Sequence, residues 1–158
     1  MVMWLVQGST EEILVRGYLL PLSGNQMPGW LAITGVSLGF ALVHMNFNPL
    51  ILANITLVAV FFSFVSLAHG NLWAACGFHL GWNATQGGIL GIPVSGNAYA
   101  MSILAMGPVK DAPTWLTGGE FGIEGSAVAT VVLAALAVWS YFYYMKADAK
   151  RLAEAPAM

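Results

Sequence analysis

The stretch GSTEEILVRGY, residues 8–18, sets Glu11, Glu12 and Arg16 inside a segment that is otherwise apolar. After Arg16 charge disappears: residues 17–109 contain no Asp, Glu, Lys or Arg. Such a run is long enough for three or four bilayer crossings at about 20 residues each. Only 8% of the 158 residues are charged and 58% are hydrophobic, whereas a soluble domain carries roughly 25% charged residues. The composition predicts an all-α, polytopic transmembrane helical bundle.

Punctuation divides the chain into about five spans. The first, Val2 to Leu20, stops at PLSGNQMPG, where prolines and glycines break a helix. The second runs from Trp30 to Met45, the third from Pro49 to Ala68, the fourth from Leu72 to Ile92, and the fifth from Ser126 to Met145. The connection 93–125 is rich in glycine and holds Lys110, Asp111, Glu120 and Glu124. The last span closes on WSYFYYM, an aromatic cluster suited to a membrane interface. Residues 1–145 read as one intramembrane domain, and 146–158 as a short polar tail with frayed ends. Lys146, Lys150 and Arg151 follow the last span directly, so the carboxyl terminus is expected on the cytoplasmic side. The amino terminus lacks the basic region of a signal peptide.

A net charge of −2 offers no basic surface for nucleic acid. The single cysteine, Cys76, excludes a disulfide within the chain and a metal site built on cysteines. What remains is a small set of polar residues in apolar surroundings. An acidic or basic side chain at mid-membrane costs about 2.5–3.5 kcal/mol on the insertion scale, so three within residues 11–16 need partners. Glu12 and Arg16 are four apart and share a helix face. Glu11 is turned about 100° away and is free for another role. Further along, Phe40 and His44 are four apart, as are His79 and Asn83, with Gln86 continuing the latter face. His69 falls in an HGN turn. A lone histidine on an apolar helix is more often a satisfied structural or interface group than a functional one. Together, Glu11, His44, His79 and Asn83 supply a carboxylate, two imidazoles and an amide, an inventory that suits water activation and oxyanion stabilisation.

At these residues the sequence resembles the type II CAAX prenyl endopeptidase family, also known as the CAAX protease and bacteriocin-processing or abortive-infection family. Its pattern, E-E-x-x-x-R, then F-x-x-x-H, then H-x-x-x-N, reads here as Glu11-Glu12-x-x-x-Arg16, Phe40-x-x-x-His44 and His79-x-x-x-Asn83. The resemblance implies an integral protein of the bacterial plasma membrane that hydrolyses a peptide bond in a lipidated or small hydrophobic substrate. It implies that Glu11 and His44 activate water, that His79 and Asn83 hold the oxyanion, and that Glu12 and Arg16 orient the site. It also implies no cofactor, although two histidines and a glutamate are legitimate zinc ligands. Family members usually carry further spans ahead of the glutamate pair, so a shortened version or a piece of a longer protein is expected. The competing expectation is a catalytically silent membrane protein that confers bacteriocin immunity or binds partners.

Overall fold

The computed structural model describes residues 1–107 and 111–154; Lys110 and residues 155–158 of the tail lie outside them. Among the described residues no β-strand forms, only a single bridge between Val94 and Asn97. Five long helical stretches carry the chain. The first consists of α1 (Val2–Glu12), a π-helical turn (Ile13–Leu19) and α2 (Leu20–Gly24). Then come α3 (Gly29–Leu42), α4 (Pro49–His69), and α5 (Trp73–Asn83) continued by a second π turn (Ala84–Leu90). After the connection, with its one-turn helix α6 (Thr114–Thr117), α7 spans Ala127–Glu154.

The boundaries have local causes. The Asn48 side chain accepts from the Leu50 and Ile51 amides and Pro49 opens α4, so its first turn is capped. Gly70 closes α4 in the left-handed conformation. Arg151, on the last turns of α7, donates to the Leu67 and Ala68 carbonyls that the end of α4 leaves unpaired. The tail expected to fray from residue 146 is therefore helical as far as Glu154. The first helix also runs past its expected stop at Leu20. Pro21 sits in the first turn of α2, directly after the π turn, where a missing backbone N–H is tolerated.

Two of these helices, α4 and α7, are long and apolar enough to cross a membrane; α3 is apolar but has only 14 residues. The expectation of five spans is met by five helical stretches of which two qualify as spans. Of the other three, the first and fourth change to π geometry midway and α3 stops short, features that hydrophobicity alone does not register. Leu14, Leu38, Val131, Val138 and Phe142 face outward, the opposite of the polar exterior that a water-soluble bundle presents. The core lies along α4: Ile51, Ile55 and Ala59 pack with Val15, Phe40 and Phe121, and Phe61, Phe62 and Val65 pack with Ala75.

Candidate active site

Glu12 is fully buried and its Oε1 is the hub of the interior. It accepts from Arg16 Nη1 at 3.0 Å and lies 2.8 Å from His79 Nδ1. A carboxylate can only accept, so the ring hydrogen is assigned to Nδ1 of His79. Arg16 spends its remaining donors on α4, with Nη2 2.8 Å from the Ala59 carbonyl and Nε 3.5 Å from Ser63 Oγ. Its guanidinium also lies between the rings of Phe40 and Phe62, 5.0 and 5.6 Å from their centroids. Phe62 stacks on His79, and Phe40 meets His44 edge-to-face. A continuous series, His44–Phe40–Arg16–Phe62–His79, thus connects the two imidazoles through one buried cation. The pairing of Glu12 with Arg16 expected from their spacing is present, and Glu11 takes no part in it.

Glu11 instead faces a cavity of about 40 Å³ lined also by His44, His79, Asn83, Gln7, Trp82, Ser95 and Glu124. One water needs about 10–15 Å³ measured in this way, so two or three fit. Glu11 Oε2 lies 3.7 Å from His79 Nε2, and Glu11 Oε1 accepts from Gln7 Nε2 at 2.5 Å. His44 Nδ1 is 2.8 Å from the Phe40 carbonyl. A carbonyl also only accepts, so Nδ1 carries the hydrogen and Nε2 of the neutral ring is left as an acceptor. The four residues expected to act together therefore line one cavity, although α1, the turn after α3 and α5 supply them separately. Gly8 on α1 lies directly against the His79 side chain. A methyl there would stand 3.2 Å from His79 Cγ, so a side chain at this position would have to push the imidazole back by a few tenths of an ångström.

The sequence motifs do not contain the fourth wall. Glu124, from the 93–125 connection, accepts from Trp82 Nε1 (2.6 Å) and Gln86 Nε2 (3.1 Å) at one oxygen. Its other oxygen accepts from the Ser95 amide (2.8 Å) and hydroxyl (3.1 Å). Asn54, fully buried on α4, donates to the Glu124 and Ser126 carbonyls and accepts from Thr130. The two arms of the connection meet at Gly122, whose φ of 89° and contact with Pro93 leave no room for a side chain. Tyr99, in the same connection, has its phenol raised above the ordinary range, by burial first and then by the charges of Glu11 and Glu124. It remains a hydrogen-bond donor at neutral pH. A lone acid in a glycine-rich loop gave no spacing to read; Gln7, four residues before Glu11, did. Glu124→Gln keeps the shape but turns an amide NH₂ toward donors. It is expected to lower stability by about 1–3 kcal/mol, measured as a fall in Tm of the detergent-solubilised protein.

Two carboxylates, two imidazoles and an amide, from Glu11, Glu124, His44, His79 and Asn83, thus share one small cavity inside a helical protein. The chain belongs to the type II CAAX prenyl endopeptidase Rce1-like family, whose model matches residues 1–85. The match contains Glu11, Glu12, Arg16, His44, His79 and Asn83 and ends before the connection that bears Glu124. This is a membrane-associated protease family. No curated protein and no solved structure matches the chain.

Proposed function

We propose that the chain is an intramembrane endopeptidase that hydrolyses a peptide bond in a lipidated or small hydrophobic substrate, with α1, α3, α4, α5 and α7 inserted together as a bundle. The observation that carries this reading is the joint lining of one cavity by Glu11, His44, His79 and Asn83. Water in the cavity loses a proton to Glu11 as its oxygen adds to the scissile carbonyl carbon. His44 Nε2, with its lone pair available, orients that water. The carbonyl oxygen becomes an oxyanion that accepts from Asn83 Nδ2–H. His79 contributes through Nε2, a donor role that needs the doubly protonated ring because the Nδ1 hydrogen is donated to Glu12. Collapse breaks the C–N bond, and the proton held by Glu11 passes to the departing amine.

The proposed mechanism uses no metal. Among the described residues no three His, Cys, Asp or Glu side chains converge as ligands, and the fourth member of the set, Asn83, is a better oxyanion donor than zinc ligand. Cleavage of a hydrophobic or lipidated peptide by the protein in liposomes is therefore expected to persist in a strong chelator. Loss of cleavage on chelation, restored by added zinc, would replace the glutamate mechanism with a metal one. The bacterial plasma membrane, with the Lys146 end cytoplasmic, is the proposed location. The immunity or adaptor reading gains nothing specific from the site, since a scaffold has no use for a half-buried Glu11.

A further inference from the structure

Gln7 stands outside all three motifs, yet it joins two of their residues. It lies on α1 one turn before Glu11, while Asn83 ends α5. Its Nε2 is 2.5 Å from Glu11 Oε1, and its Oε1 accepts from Asn83 Nδ2 at 2.9 Å. Chemistry fixes the direction of this series. An ionised carboxylate has no hydrogen to give, so Gln7 must turn its NH₂ toward Glu11. The Gln7 carbonyl then faces Asn83, which must answer with its own NH₂. Reversing either amide would set carbonyl against carboxylate or NH₂ against NH₂. Two consequences follow at the cavity. Oε1 of Glu11 is occupied, so Oε2, 3.7 Å from His79 Nε2, is the oxygen left to take a proton. Asn83 has one N–H committed to Gln7 and a second free for an incoming oxyanion.

We infer that Gln7 is a positioning residue, which selects the carboxylate oxygen that acts as base and fixes the direction in which the Asn83 amide points; this rests on the hydrolytic reading of the cavity. Gln7 touches no reacting atom and acts through both neighbours at once. It also forms, beside the Glu12–His79 contact, a second polar tie between α1 and α5.

The test compares two variants of the whole chain in liposomes, with cleavage of a hydrophobic peptide followed across pH. Gln7→Met keeps length but removes the amide. Its kcat is expected to fall by about 100-fold, the scale of a misplacement near 1 Å, with KM changed by only a few-fold. Gln7→Glu is isosteric and separates positioning from space-filling. The introduced carboxyl donates to Glu11 only while protonated, and its carbonyl then still accepts from Asn83. Cleavage by this variant is therefore expected to be lost at neutral pH and regained on acidification relative to wild type. The charged and titratable neighbours, Glu11, Glu12, Arg16, His44 and His79 from the helices and Tyr99 and Glu124 from the connection, are common to both proteins, so the difference between profiles isolates position 7. A Gln7→Met protein within twofold of wild type, or a Gln7→Glu profile that follows wild type, overturns the role. Should Gln7→Met fail to fold, the Gln7→Glu profile decides alone. A wild type that does not cleave sinks the hydrolytic reading and this role with it; an active wild type with unaffected Gln7 variants sinks this role only.

Discussion

Glu11→Gln is expected to reduce cleavage by about 10²–10⁴-fold, the contribution of a positioned general base, while leaving the folded protein intact. The substitution preserves shape and can keep one carbonyl toward Gln7, and Glu11 is not part of the buried Glu12–Arg16 pair. Glu12 keeps its contacts with both Arg16 and His79 in this variant, so removing the Glu11 charge strands no buried cation. What disappears is the lone pair that takes the proton from water. Thermal unfolding and substrate binding should resemble wild type. A variant that cleaves at the wild-type rate removes Glu11 from the chemistry.

Arg16→Ala is expected to act on the fold before it acts on the reaction. It leaves Glu12, with no solvent exposure, without its cation, and breaking a buried pair from one side costs about 3–5 kcal/mol. It also removes the guanidinium between Phe40 and Phe62 and frees the Ala59 carbonyl. The variant should accumulate poorly in membranes, and whatever folds should be slow because both histidines rest on that stack. Normal yield and Tm with cleavage abolished would instead assign Arg16 a direct part in the reaction.

The residues at i and i+4 were the most legible part of this chain. Glu12 and Arg16 pair as their spacing requires, Phe40 touches His44, and Asn83 shares the cavity with His79. Charges and amides are so rare here that each one constrains the packing. The π turns at Ile13–Leu19 and Ala84–Leu90 were not legible, because a wider turn leaves no mark in apolar periodicity. Both follow directly on site residues, Glu12 and Asn83, a placement common for π segments. The contact of Glu12 with His79 was equally hidden, since spacing within one helix says nothing of which helix lies opposite. Asn54 and Glu124 act through tertiary bonds between α4, α5 and a loop more than 30 residues away in sequence. Five helical stretches form where five spans were expected and two of them qualify as spans, because hydrophobicity describes the first and fourth segments as continuous, whereas their backbones change geometry midway.

The central claim, that these side chains form one hydrolytic centre, is tested most directly by mass spectrometry of a hydrophobic, carboxyl-terminally lipidated peptide incubated with the protein in liposomes. The expected result is two fragments from one internal peptide bond with wild type and none above background with Glu11→Gln at equal folded protein. Fragments formed equally by both proteins, or an intact peptide after prolonged incubation with folded wild type, would contradict it.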